Sequence, residues 1–178
     1  MTHRVRPVRA REAMEVLIVR HAPALERDRH RWVNDEARPL SPEGVKRARS
    51  AARGLKAFAK APDRVLTSPL VRARQTARIL TDVAGWPRAE EVIELSPGKP
   101  PLAVLALLEK DRSKRVALVG HQPDLGILLS ACISTDGPLP IDLKKNSVAC
   151  VSFAGTPQAG GATLEWLATP RLLRGFRR

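Results

Sequence analysis

The stretch Val16-Leu17-Ile18-Val19-Arg20-His21 decides the fold class of this chain, because an aliphatic run ends abruptly in two polar residues. Such a run is typical of a strand buried on both faces of a sheet. Similar runs occur at Arg64–Thr67, Val92–Leu95 and Val116–Val119, each followed by apolar residues at helical spacing. Alternating strands and helices predict an α/β fold, a three-layer α/β/α sandwich with a mostly parallel central sheet.

Two serine-proline pairs indicate where helices begin. In Ser41-Pro42 and Ser68-Pro69 the serine can cap the helix, and the proline fits the first helical position. Leu102–Lys110 and Leu125–Cys132 predict two further helices. The last two predicted strands lie at Ser147–Phe153 and Thr163–Ala168, joined by a glycine-rich turn.

The length of 178 residues fits one domain, which we place at residues 14–170. We expect a basic N-terminal extension at 1–13, dispensable for folding, and a basic C-terminal tail at 171–178. Neither a membrane span nor a secretory signal peptide is expected, so we take the cytoplasm as the compartment. Cys132 and Cys150 have no metal-ligand spacing, and we expect two buried thiols.

A net charge of +13 favours anionic partners. Phosphorylated substrates and nucleic acid both fit this charge, as does a solvated basic surface without a specific partner. Aromatic residues make up only 3% of the chain and tyrosine is absent, so bases would find few stacking platforms. The composition therefore favours a phosphorylated substrate over nucleic acid.

Three polar clusters follow the predicted strands. Arg20-His21 follows the first strand, Ser68–Arg72 the second and Gly120-His121 the fourth. Ligands of open α/β sheets bind beyond the carboxyl ends of the strands, where these clusters would meet. A single histidine in a loop is more often a hydrogen-bonding residue, and we expect Arg74 and Arg78 to be solvated. Two histidines and two arginines converging on one edge indicate a site.

Arginine suits phosphate because its guanidinium is always charged and presents a planar fork of donors. Two arginines could hold a phosphoryl group without a metal. They also lower the pKa of a neighbouring histidine, which keeps His21 neutral and nucleophilic near pH 7. The sequence has no Walker-type loop, and neither cysteine is followed by the loop that a cysteine phosphatase needs. Among the possible nucleophiles at the strand ends, histidine is the obvious candidate.

The motifs resemble those of the histidine phosphatase superfamily, also called phosphoglycerate mutase-like, and in particular its short SixA-like branch of phosphohistidine phosphatases. The resemblance lies in three stretches, Leu17–Ala22, Thr67–Ala77 and Val119–Pro123. Arg38–Gly44 is similar to the segment that precedes the first helix in that branch. The matching region spans residues 14 to 170.

The resemblance implies a phosphatase in which His21 is the nucleophile and carries a covalent phosphohistidine. Arg20 and Arg72 would bind the phosphoryl oxygens, and His121 would donate to them as charge develops. No cofactor or metal is implied. The implied partner is a phosphorylated protein carrying phosphohistidine, or a small phosphorylated substrate.

This sequence departs from the family at two points. Ala22 stands where many members have glycine, a change that we expect to alter the loop little. The insert that carries the proton-donating glutamate of phosphoglycerate mutase-like members is missing, and Glu94 is the candidate acid or base in its place. A phosphohistidine substrate fits the missing acid, since its leaving nitrogen is protonated by solvent more easily than an alkoxide.

Substrate choice would depend on loops such as Pro23–Pro39, where Arg27, Arg29 and Arg38 are candidate binding residues. A phosphatase of small phosphomonoesters, such as sugar phosphates or nucleotides, stays open on the same site. So does a module of another class, a non-catalytic or nucleic-acid-binding protein whose basic surface is its function.

Overall fold

The computed structural model describes residues 13–28 and 30–176, and it has a six-stranded sheet at its centre. The order of the strands across the sheet is β3-β2-β4-β1-β5-β6. Their bounds are β1 Met14–Arg20, β2 Arg64–Thr67, β3 Glu90–Glu91, β4 Arg115–Gly120, β5 Val148–Phe153 and β6 Ala162–Ala168. The predicted extension at 1–13 lies outside the described residues, apart from Ala13.

The sheet is parallel on one side and antiparallel on the other. β1, β2, β3 and β4 pair in parallel, whereas β5 runs antiparallel to both β1 and β6. The α/β class is confirmed, and the sheet is mixed because β5, which follows α4, runs antiparallel to β1 and then forms a hairpin with β6.

Helices cover both faces of the sheet. α1 Pro42–Phe58, α2 Val71–Ile79 and α5 Pro170–Gly175 pack on one face, and α3 Ala103–Lys110 and α4 Asp124–Ile133 on the other. Within β1 the side chains alternate, so Leu17 and Val19 join the first core and Val16 and Ile18 the second. Burial on both faces explains why the strand is a continuous aliphatic run.

The two serine-proline pairs behave differently. Ser41 caps α1 as predicted: its side chain accepts the Gly44 N–H at 2.9 Å, and Pro42 is the first helical residue. Ser68 does not cap α2. The cap position of α2 is Leu70, which has no side-chain cap, and Ser68 lies two residues earlier in the connecting loop. Arg72 is accordingly the second residue of the helix.

The third predicted strand is misplaced. β3 covers only Glu90–Glu91, and Ile93–Leu95 forms a 3-10 turn in place of a strand. Leu95 is buried whereas Ile93 is 57% exposed, so this aliphatic segment has one face on the core and one in solvent. A single turn of helix satisfies that pattern as well as a short edge strand does.

The C-terminal segment is more than a tail. Residues 170–175 form α5, in which Thr169 caps the first turn and Leu173 is 1% exposed against α1. The expected boundary at residue 170 is therefore too early, because α5 completes the core. Cys132 and Cys150 are free buried thiols, as predicted. No helix within the described residues is long and apolar enough to span a membrane.

The contact between α1 and α5 depends on Gly54. A Cβ atom at this position would lie 1.7 Å from the carbonyl oxygen of Leu173, closer than any real contact. We predict that Gly54→Ala displaces α5 and lowers the free energy of unfolding by about 1–3 kcal/mol, although alanine is the better helix former. Thermal unfolding should show a Tm lower by roughly 3–10 °C.

Gly155→Ala is the matched control, because nothing lies within 4 Å of the added Cβ there. Its Tm should stay close to that of the wild type. An unchanged Tm in Gly54→Ala would show that α5 does not pack tightly on α1.

Candidate active site

The loops after β1, β2 and β4 meet at one edge of the sheet. Arg20 is paired in register with Gly120, so the residues that follow them, His21 and His121, emerge side by side. The backbone N–H of His21 donates to the Gly120 carbonyl at 3.0 Å. The two imidazole rings have centroids 5.0 Å apart and are tilted by 55°.

His21 is held in a defined tautomer. Its Nδ1 lies 2.6 Å from the Ala22 carbonyl oxygen, which can only accept, so Nδ1 carries the proton and Nε2 keeps its lone pair. Burial lowers the His21 pKa to about 3, and the charges of Arg72, Arg20 and Lys145 act in the same direction. Near neutral pH the ring is therefore uncharged, the form in which an imidazole can act as a nucleophile.

The backbone around His21 is fixed from two sides. The Ala22 N–H donates to Thr76 Oγ1 at 3.0 Å, and Thr76 in turn donates to the Arg72 carbonyl at 2.7 Å. On the other side, the Asn146 N–H donates to the Arg20 carbonyl at 3.1 Å. Asn146 has a positive φ of 68°, a conformation that asparagine adopts more readily than most residues. Alanine at position 22 fits this loop, and its side chain is fully buried.

Arg72 lies at the start of α2 with its side chain only 5% exposed. Its Nη2 lies 3.2 Å from an Asp35 carboxylate oxygen, and its Nη1 donates to the Asp35 backbone carbonyl at 2.8 Å. The third guanidinium nitrogen, Nε, is buried and has no acceptor among the described residues. The desolvation of the guanidinium is offset in part by the negative charge of Asp35, which favours the charged form.

Arg20 is positioned by the segment before β5. Its Nη1 donates to the Leu143 carbonyl and lies 3.5 Å from the carboxylate of Asp142, which is 80% exposed at its side chain. The Arg20 Nε is buried and also lacks an acceptor within the described part of the chain. Like Arg72, Arg20 lowers the pKa of both histidines, so the charges of the two arginines act on the same two imidazole rings.

His121 is oriented by Ser68, the residue that the sequence pattern predicted as a helix cap. His121 Nε2 lies 2.8 Å from Ser68 Oγ, and Ser68 Oγ also accepts the Leu70 N–H at 3.3 Å. The serine hydroxyl is available to donate to Nε2, and in that arrangement His121 would carry its proton on Nδ1. Burial lowers the His121 pKa to about 3, with His21 and Arg72 adding to the effect.

These contacts leave three buried nitrogen atoms, on β1, α2 and the loop after β4, without hydrogen-bond partners among the described residues. Arg20 Nε, Arg72 Nε and His121 Nδ1 are all buried and have no acceptor among the described residues. A buried donor without a partner costs about 1–3 kcal/mol, so such a cluster is characteristic of a ligand site. Two fixed cations and several N–H groups beside a neutral histidine suit a tetrahedral oxyanion. No cluster of three or more metal-binding side chains occurs in residues 13–28 and 30–176.

The remaining predicted residues lie at different distances from this cluster. Arg38 Nε is 2.7 Å from Asp35, and the same side chain binds the Leu25 carbonyl, so it supports the loop that carries Asp35. Arg27 is 3.4 Å from Asp35 and its side chain is 74% exposed. Arg29 lies outside the described residues. Glu94 lies in the 3-10 turn after β3, and no hydrogen bond between described residues links it to either histidine.

Sequence reasoning missed Asp35, Thr76 and Asn146, and it gave Ser68 the wrong role. Asp35 forms ion pairs with Arg72, Arg38 and Arg27, which together hold its pKa at about 2, led by the hydrogen bond from Arg38. An aspartate three residues before Arg38 in a loop full of arginines was a usable indication. The contacts of Asn146 come from a distant part of the chain and have no local pattern.

A sequence profile of the histidine phosphatase superfamily (branch 1) matches residues 16–99. The chain is 30% identical over 161 residues to the phosphohistidine phosphatase SixA of Escherichia coli, covering 88% of this chain and 94% of that protein. It is also 36% identical over 138 residues to an uncharacterized protein of Picosynechococcus, covering 76% of this chain and 82% of that protein.

Solved structures show the same relationship. The structure of the protein histidine phosphatase SixA complexed with tungstate superposes with a TM-score of 0.78 at 28% identity, covering 89% of this chain and 98% of that one. A SixA-type protein from Agrobacterium tumefaciens gives a TM-score of 0.74 at 23% identity, covering 88% and 98%, and supports the fold. The motifs, the fold and these relatives together show that the chain belongs to the histidine phosphatase superfamily and is a phosphatase of its SixA-like branch.

Proposed function

We propose that this phosphatase removes the phosphoryl group from phosphohistidine in proteins, through a covalent phosphohistidine on His21. The observation that carries the proposal is the neutral Nε2 of His21 beside buried nitrogen atoms of Arg20, Arg72 and His121 that have no partner in the described part of the chain. The similarity to a phosphohistidine phosphatase supports the choice of substrate.

In the first step, the lone pair of His21 Nε2 attacks phosphorus and forms a P–N bond. The bond between phosphorus and the substrate imidazole breaks, and its electron pair stays on the substrate nitrogen, which takes a proton from solvent. In the second step, water attacks phosphorus, the P–Nε2 bond breaks and inorganic phosphate leaves. His21 is regenerated, with Nδ1–H still bound to the Ala22 carbonyl.

The surrounding donors stabilise charge on the transferring group. Arg20 and Arg72 present fixed positive charges to the phosphoryl oxygens, and His121 Nδ1–H donates a further hydrogen bond. Because these groups are already held by Leu143, Asp35 and Ser68, they need little reorganisation when charge develops. Preorganised donors of this kind often make the largest contribution to catalysis.

The carboxylates around the site favour a substrate whose leaving group does not have to be protonated by an acidic side chain of the enzyme. Asp35 is bound by Arg72 and Arg38, and its pKa of about 2 keeps it ionised near neutral pH. Asp142 is paired with Arg20. An ionised Asp35 is not suited to protonate an alkoxide, whereas the leaving nitrogen of phosphohistidine accepts a proton from solvent. This favours phosphohistidine over sugar phosphates.

Covalency gives the most direct test of the nucleophile. We predict that base quenching during turnover of a labelled phosphohistidine protein traps label on the peptide containing Arg20-His21, with the acid lability of a phosphoramidate. His21→Ala should abolish label and turnover, and His121→Ala should slow turnover without a new labelled site. EDTA should change neither. Near-normal turnover in His21→Ala, or inhibition by EDTA, would contradict the mechanism. Faster turnover of phosphomonoesters than of the phosphohistidine protein would contradict the proposed choice of substrate.

Arg72 and Arg74 provide a matched pair on the same helix. Arg72→Ala removes a preorganised donor, so kcat/KM should fall by about 10²–10³. Arg74 is exposed, with an ion pair to Glu91 at 3.3 Å, and Arg74→Ala should change kcat/KM little. Because Arg72 is buried, circular dichroism must show that each variant is folded. Equal losses in the two variants would place the anion site elsewhere.

The buried histidines should make stability depend on pH. Their pKa values of about 3 in the folded protein lie below the ordinary 6.5, so the unfolded chain binds more protons between these limits. The free energy of unfolding should therefore fall as the pH drops from 7 to 5, on the order of 2 kcal/mol per histidine. Urea titrations at both pH values measure this change, and His121→Asn should reduce it. An equal stability at both pH values would show that the histidines are charged in the folded state.

A further inference from the structure

A basic cleft opens beside the candidate active site formed by Arg20, His21, Arg72 and His121. It has a volume of about 680 Å³ and lies between the loop before β5, the start of α5 and the exposed side of α1. The cations that line it are Arg20, Arg47, Lys144, Lys145, Arg171 and Arg174. Among the residues that the structure describes, no acidic side chain lines it.

This cleft is continuous with the site of His21. Arg20 belongs to both, and Asn146, which donates to the Arg20 carbonyl, also lines the cleft. The charge of Lys145 is close enough to act on the His21 imidazole. A group bound in the cleft would therefore lie next to the substrate residue whose phosphoryl group faces His21.

Within the described residues, recorded ion pairs neutralise only part of this positive charge. At the rim, Asp142 pairs with Arg20 at 3.5 Å and Glu43 pairs with Arg47 at 2.8 Å. Lys144, Lys145 and Arg171 are exposed, and their positive charges raise the local concentration of anions. Charge of one sign beside a catalytic residue selects partners of the opposite sign.

We propose that this cleft binds carboxylates on the protein surface that flanks the phosphohistidine of the substrate, so that the enzyme selects acidic partner proteins. This inference rests on the proposed function and adds the chemistry of the partner. Apart from Arg20, the cations sit on exposed or half-exposed side chains of separate elements, an arrangement that suits several dispersed carboxylates. A single phosphate is usually held by buried donors such as those around His21. No aromatic side chain of the described residues lines the cleft, so these residues offer no stacking platform for nucleic acid.

Two synthetic peptides test this inference. Each carries one phosphohistidine, flanked by glutamates in the first and by glutamines in the second. Wild-type enzyme should hydrolyse the glutamate peptide with a kcat/KM about tenfold higher, through a lower KM, and the preference should shrink at high salt. The double variant Lys144→Glu/Arg171→Glu should lose the preference while it hydrolyses the glutamine peptide at the wild-type rate.

Arg49→Glu/Arg53→Glu is the matched control, since it changes the net charge equally on exposed positions of α1 that do not line the cleft. It should keep the preference for the glutamate peptide. Lys145 is left unchanged in both variants because its charge acts on His21.

The outcomes separate the two proposals. If wild-type enzyme hydrolyses neither peptide, the proposed function fails and the inference fails with it. If it hydrolyses both equally, or if the cleft variant keeps the preference, only the inference is overturned. Equal hydrolysis of the peptides together with inhibition by inorganic pyrophosphate that the cleft variant loses would instead assign the cleft to a second phosphate of a small molecule.

Discussion

The parallel pairing of β1 with β4 is the constraint on which the rest of the site depends. It places Arg20 opposite Gly120, so that His21 and His121 leave the sheet together. β2 pairs on the far side of β4 and brings Ser68 to the same edge, where it meets His121. A shift of one residue in this register would turn each side chain to the opposite face and separate the two histidines.

Burial then determines the chemistry of the cluster. Two arginines and two histidines in a small volume would repel one another if all four were charged. The arginines stay ionised because Arg72 pairs with the carboxylate of Asp35 and Arg20 with that of Asp142, whereas burial keeps the histidines uncharged. The same electrostatic arrangement that leaves His21 uncharged also leaves buried nitrogen atoms of Arg20 and Arg72 without acceptors among the described residues. The basic cleft extends this positive potential to the surface.

Most of the fold could be predicted because its main determinants are local. The aliphatic runs of β1 and β4 and the Ser41-Pro42 start of α1 are short patterns with one physical interpretation. Predictions failed where a pattern fits two structures. Ile93–Leu95 satisfies a turn as well as a strand, and Ser68-Pro69 resembles a cap although its hydroxyl binds His121. The helix α5 was missed because its burial depends on the approach of α1 at Gly54.

By itself the sequence determined the fold class, the strand ends that carry Arg20, His21, Arg72 and His121, and the positive charge that favours an anionic substrate. These follow from hydrophobic periodicity and from residue chemistry, which are properties of short segments. Only the tertiary structure decided which carboxylate holds Arg72, which hydroxyl orients His121 and where the surface cations gather into a cleft. Those contacts join residues far apart in the chain, and their geometry exists only after the sheet has fixed the register of its strands.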